Sequence, residues 1–231
     1  ALQMSREVLT AFGMVNESLV ETNERTSNRN TALMAGLEQK VEEQPEKYTE
    51  IKERADQVHA LTTSFISYIA GIKEKVTSEM DDPMDYESMD KSAQLDEYFF
   101  QSGKPSAAGK EFIEQIDNYR EGVTALIGDA YPEIAADINE NFATQPIKDN
   151  EGVTKDWLNY HYEGFPVVAS LTKFTQMQTE ANAAESEILS RMLSGQLESE
   201  VSLTNYEAIV IPEKTAFFSG ETFQGRVVLG R

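Results

Sequence analysis

The sequence predicts a mainly α protein: an elongated helical bundle with long antiparallel helices, followed by the first strands of a truncated β-rich domain. Three observations carry this. Apolar residues recur at intervals of three and four over most of the chain up to about position 200. No Pro precedes Pro45, and Gly13 is the only Gly before Gly36, so the first segment has almost no helix breakers. From about Leu203 the helical period gives way to the alternation of a strand.

Residues 2 to about 43 read as one helix. Leu2, Leu9, Phe12, Val15 or Asn16, and Leu19 fall at heptad-like intervals, with Val8 and Met14 widening the stripe. From Glu21 to Asn30 the pattern is almost wholly polar, and apolar residues return at Leu33, Met34, Leu37 and Val41. A helix with such a polar waist is either exposed there or paired with something polar. The expectation is one continuous helix; a break with a turn at the waist is the competing reading. Gln44-Pro45 marks a boundary, because Pro disfavours helix at the residue before it. Glu46 to Glu79 then carries the cleanest stripe, with Tyr48, Ile51, Ala55, Val58, Leu61, Phe65, Tyr68 or Ile69, Ile72 and Val76. Two long helices joined at one Pro make an antiparallel hairpin.

Asp81 to Asp85 is a loop. Its three carboxylates lack the central Gly and closing Glu of a calcium loop. Ser88 to Phe100 reads as a short helix, Ser102 to Pro105 as a turn, and Ser106 to Ile127 as a helix. The inward positions of that helix are Phe112, Ile113, Ile116, Tyr119, Val123 and Leu126 or Ile127, and Gly128-Asp129 ends it. Pro132 to Phe142 is another short helix, and Thr144 to Gly152 a polar loop. The segment Trp157 to Leu171 holds the only Trp, an aromatic run and a corner at Gly164, Phe165 and Pro166. Pro166 suits the first turn of a following helix. That helix runs to about Glu200 on Val167, Leu171, Phe174, Ala181, Ala184 and Ile188. Tyr206 to Ile211 and Thr222 to Leu229 then read as strands. A strand pair is not stable alone in water, so their partners are expected in missing sequence or a neighbouring chain.

Composition narrows the function. Forty per cent apolar residues are enough for a core. A net charge of −20 repels nucleic-acid backbones and anionic headgroups. No Cys is present, which removes disulfides, thiolate chemistry and Cys-type zinc sites. No apolar run approaches the roughly 20 residues of a membrane span. The chain opens at Ala1 without an initiator Met and is expected to be a fragment. His59 has only Asp56 at i−3 and reads as a satisfied or exposed structural histidine; His161, whose neighbour Glu163 is not on the same face, also reads as structural. Acidic pairs such as Glu42/Glu46 lie on solvated faces, unlike the paired carboxylates of glycosidases. No phosphate loop or nucleophile elbow occurs. The expectation is therefore no catalytic, cofactor or metal residue.

Three stretches carry a resemblance: Ala1 to Phe12, Tyr160 to Ser170 (YHYEGFPVVAS) and Asn205 to Arg231 (NYEAIVIPEKTAFFSGETFQGRVVLGR). Together they resemble the GldM family, called PorM in some species, of gliding motility and type IX secretion in Bacteroidetes. The resemblance implies an inner-membrane anchor of one N-terminal helix preceding this chain, and a periplasmic homodimer. It implies a helical first domain at 1–202 and the opening strands of a β-sandwich-like second domain at 203–231. It further implies a proton-gradient-driven motor: the anchor sits in a ring of GldL, and distal domains reach the outer-membrane-associated ring of GldK and GldN. On that reading Leu2, Leu9 and Phe12 are candidate membrane-proximal contacts between protomers or with a partner. Trp157, Tyr160, Phe165 and Pro166 are a candidate structural brace. Leu203, Thr204, Asn205 and Tyr206 are the candidate inter-domain joint. The competing expectations are a helical adaptor or binding ectodomain without a motor role, and an enzyme built on a buried acidic pair.

Overall fold

The computed structural model describes residues 5–78, 80, 82–204, 207–212 and 225–230. The chain divides into two compact units, 1–190 and 191–231.

The first unit is helical. Helix α1 (Arg6–Glu43) runs unbroken through the polar waist, so the break at Glu21–Asn30 is not made. At 38 residues it is about 57 Å long. Gln44 ends it, and α2 (Pro45–Thr77) starts at once with Pro45 in its first turn, where no N–H is needed. The two form the expected antiparallel hairpin. The buried side of α2 is Tyr48, Ala55, Val58, Thr62, Phe65, Ile69, Ile72 and Val76, close to the predicted stripe. A 3-10 turn at Tyr86–Ser88 follows, where the sequence suggested the start of a helix. Tyr86 lies flat on α1 at Gly13, and a Cβ there would come within 2.1 Å of the Tyr86 ring.

Helix α3 (Ala93–Phe99) leads into a tight hairpin of β1 (Phe100–Gln101) and β2 (Lys104–Pro105). Helix α4 (Ala107–Ile127) is capped by Ser106, whose Oγ accepts from Gly109 N–H at 3.1 Å. A 3-10 turn at Gly128–Ala130 precedes α5 (Pro132–Asn141). The loop expected at Thr144–Gly152 contributes to a second small hairpin, β3 (Ile147–Lys148) with β4 (Thr154–Lys155). Two-residue strands are too short to show a period, which is why neither hairpin was legible. Helix α6 (Trp157–Tyr162) ends at a corner where Gly164 has φ 75°, a conformation suited to glycine.

Helix α7 (Val167–Thr204) follows and crosses the boundary between the units. Pro166 sits one position earlier than predicted. It precedes α7 as the capping residue, its carbonyl accepting from Ala169 N–H at 3.0 Å and Ser170 N–H at 3.2 Å. In the first unit α7 is buried on almost every side, including Val168, Leu171, Phe174, Ala181, Ile188 and Leu189.

The second unit comprises the end of α7 and an antiparallel pair, β5 (Glu207–Pro212) with β6 (Gly225–Gly230), in register from Glu207 opposite Gly230 to Pro212 opposite Gly225. The two strands expected in this region thus form an antiparallel pair.

Candidate functional site

Two contrasting contacts hold α7 in the first unit. The first is aromatic. Phe112 stacks on Phe99 at 5.1 Å, and Tyr162 stacks on Phe174 at 5.2 Å. Edge contacts join the two pairs, with Phe112 at 5.6 Å from both Tyr162 and Phe174. All four side chains are fully buried. Edge-to-face and offset arrangements suit the ring quadrupoles and add to the area removed from water. A second cluster, Phe65 stacked at 4.6 Å on Tyr119 with Phe142 across their edges, joins α2 to α4. Burial pushes the Tyr162 and Tyr119 hydroxyls far above their ordinary value.

The second contact is polar and lies where α1 has its waist. Leu9, Asn16, Asn23, Asn30 and Leu37 recur every seven residues along one side of α1. Leu9 and Leu37 are buried at the ends, and three Asn fill the positions between. Each Asn finds a polar partner on α7. Thr175 Oγ1 donates to Asn16 Oδ1 at 2.6 Å. Asn23 Nδ2 donates to the Thr175 carbonyl at 3.3 Å, and Asn182 Nδ2 donates to Asn23 Oδ1 at 3.2 Å. Asn30 Nδ2 donates to the Asn182 carbonyl at 3.0 Å and to Glu185 Oε2 at 3.1 Å. From α2, His59 Nδ1 meets Glu185 Oε1 at 2.6 Å. Lys73 donates to Thr175 Oγ1 at 2.7 Å and Gln178 Oε1 at 3.2 Å, and burial holds its ammonium below the ordinary value. The waist is therefore paired with something polar, one of the two options open in the sequence. His59 is paired rather than free. Its acid partner comes from a helix 126 residues away, a distance no spacing argument can bridge.

The predicted residues fall out as follows. Leu2, Asn205 and Tyr206 lie outside the described residues. Leu203 and Thr204 are the last residues of α7. Leu9 is 2% exposed, so its side chain is committed to the interior of its own unit. Phe12 is half-buried, its carbonyl accepting from Thr172 Oγ1 at 3.2 Å. The exposed apolar residues of α1 are instead Val8, Met14, Val15 and Val20.

Trp157 is half-buried, its ring near Phe112, His161 and Tyr162 at 6.1, 4.9 and 5.8 Å. Tyr160 meets His161 edge-on at 5.1 Å. Phe165 is 36% exposed and is covered by Lys173 Nζ at 3.9 Å from its ring centre. Lys173 also donates to the His161 carbonyl, and burial lowers it to about 8. His161 is held below the ordinary histidine value, first by burial and then by the Lys173 charge. Sequence reasoning missed Phe99, Asn30, Glu185 and the buried Arg120. The last donates to the Phe142 carbonyl at 3.0 Å and pairs with Asp117 at 2.7 Å.

Among the described residues no group of three His, Cys, Asp or Glu could hold a metal ion, and no helix is long and apolar enough to cross a membrane. The geometry is that of a tied helical bundle.

Comparison with known proteins agrees with this architecture. No curated protein matches the chain. The model of the GldM N-terminal domain matches residues 7–195, and that of the GldM second domain matches residues 197–231. The chain therefore belongs to the GldM family, a component of the gliding motility and type IX secretion machinery.

Proposed function

We propose that this chain is a non-enzymatic periplasmic stalk segment of an inner-membrane, proton-gradient-driven motor, passing force toward the outer-membrane-associated gliding and secretion machinery. The observation that carries the reading is the polar seam between α1 and α7. A member that transmits force must resist sliding of its helices, and apolar side chains resist it weakly because one register buries nearly as much area as the next. Asn16, Asn23 and Asn30 each pair with a fixed residue on α7, so a slip along the axis breaks all three pairs at once.

In this reading the protein works as a homodimer anchored in the inner membrane by a helix preceding Ala1. That helix engages GldL, and domains beyond Arg231 engage GldK and GldN. The helical domain takes residues 1–202 and the β-rich domain begins at 203, with Leu203 to Tyr206 as the joint between them. Trp157, Tyr160, Phe165 and Pro166 brace the corner before α7. Leu2 and Phe12, with the exposed Val8, Met14 and Val15 beside the buried Leu9, make the membrane-proximal contact.

The test is genetic and physical. Deletion of the gene should abolish both gliding and type IX secretion; loss of one with the other intact would sink the motor reading. Light scattering on the whole periplasmic part should give a dimer, and a strict monomer at high concentration would count against it. His161→Ala should leave any measured activity of the assembly unchanged.

A further inference from the structure

We propose that residues 86–91 form a latch that passes displacement of the start of α1 to the first turn of α7, and that lifting the Tyr86 ring off Gly13 releases that turn. The use of such a latch rests on the stalk reading above; the coupling itself does not.

The α1 end of the latch is a ring on bare backbone. Tyr86 is 8% exposed, and a Cβ on Gly13 would come within 2.1 Å of its ring. With no side chain at Gly13 to yield, α1 cannot advance on the segment without pushing the ring. It cannot withdraw without leaving a void beneath the ring. Arg6 and Glu87 add an exposed ion pair at 3.6 Å, which contributes little.

The α7 end is backbone on backbone. The first N–H groups of a helix have no acceptor inside it. Ala169 and Ser170 use the Pro166 carbonyl. Val167 N–H donates to the Lys91 carbonyl at 3.0 Å, and Val168 N–H to the Met89 carbonyl at 3.4 Å. Both valines are buried, so losing either carbonyl costs a buried hydrogen bond. Just beyond the segment, Asp96 Oδ1 accepts from Gly164 N–H at 3.0 Å and holds the corner as well.

Between its ends the segment is closed on itself. Met89 N–H donates to the Tyr86 carbonyl at 3.1 Å, and Ser88 N–H and Oγ both donate to the Asp85 carbonyl, at 3.1 and 2.7 Å. Met89 is 1% exposed and anchors the turn in the interior. A short turn tied in this way moves as one piece. Helix α1 also meets α7 directly, through Phe12 with Thr172 and Asn16 with Thr175. Those contacts grip α7 beyond its first turn, which leaves Val167 and Val168 to the latch.

The experiment is residue-resolved amide exchange by NMR on the full chain. In Tyr86→Ala, Val167 and Val168 should exchange about tenfold faster, the order expected when a hydrogen bond is weakened, while Tyr119 and Val123 in α4 report any change in global stability. Gly13→Ala lifts the ring from the other side and should give the same local rise; it decides the matter if Tyr86→Ala fails to fold. In a Tyr86→Ala background Gly13→Ala should add nothing at these two amides, because the ring it pushes is gone. Tyr86→Phe keeps the ring and should match wild type. Exchange at Val167 and Val168 that stays at the wild-type rate, or that rises only as much as at Tyr119 and Val123, would overturn the latch and leave the stalk reading standing. Failure of the gliding and secretion test would do the reverse.

Discussion

Helix α7 is gripped on one side by rings and on another by amides and hydroxyls, and the two contacts do different work. The ring cluster of Phe99, Phe112, Tyr162 and Phe174 removes large apolar area from water and stabilises the unit in proportion. The seam of Asn16, Asn23, Asn30, Thr175, Asn182 and Glu185 contributes little net free energy, because each of its bonds replaces one made to water. It is selective instead: a wrong register leaves buried polar atoms unpaired, at a cost that a wrong apolar register does not carry. Stability and register are thus assigned to different faces of one helix.

The largest test of this division is Phe112→Ala. Losing a fully buried ring should cost about 3–5 kcal/mol of unfolding free energy in urea, with the α-helical circular dichroism of the folded state retained. A cost near zero would mean that the cluster is not where the unit draws its stability.

Glu185→Ala comes next. It leaves Asn30 Nδ2 with one partner fewer and His59 without its acid, and should cost about 2–3 kcal/mol. The sharper version replaces Asn30, His59 and Glu185 together by Leu. Stability should return to wild type or exceed it, as happens when buried charged groups give way to packed apolar ones. Uniqueness should suffer, seen as broadened amide resonances along α1 and α7. A triple variant as sharply folded as wild type would refute the register role.

Gly13→Ala probes the end of α1 near the seam. The added methyl would meet the Tyr86 ring at 2.1 Å, so the ring must move, at about 1–2 kcal/mol by thermal unfolding.

The smallest effect concerns Lys173, which sits beside the ring cluster. Burial lowers its ammonium from 10.5 to about 8. Between these values the unfolded chain holds a proton that the folded chain releases, so this group makes stability rise with pH across that window. Lys173→Met should flatten the rise in melting temperature between pH 8 and 9.5, while substitution of the exposed Lys110 should leave it in place.

Much of the fold was readable. The α1–α2 hairpin followed from Pro45 and two apolar stripes, and the inward faces of α2 and α4 were named almost residue by residue. The aromatic segment before α7 was legible only in part. The pattern placed the aromatic knot at Trp157–Phe165; Trp157 does meet Tyr162, but so do Phe99, Phe112 and Phe174 from other helices, while Phe165 stays 36% exposed with Lys173 over its ring. Aromatic residues close in sequence are not thereby close in packing, since a short helix such as α6 points them in different directions.

The polar seam was hidden for a more general reason. Periodicity separates apolar from polar positions and assigns the polar ones to solvent, because that is their cheapest environment when considered one at a time. Glu21–Asn30 and the row Thr175, Asn182, Glu185 each look like solvated faces. Asn30 is buried and Asn23 half-buried only because α7 brings Thr175, Asn182 and Glu185 against them. The sequence by itself thus determined which segments are helical, where they turn and which apolar faces they bury, since those follow from local backbone preference and the separation of apolar from polar groups. Only the tertiary structure decided which polar residues of the waist pair with α7, and that His59 has an acid partner, because a hydrogen bond between helices is a property of two residues distant in sequence.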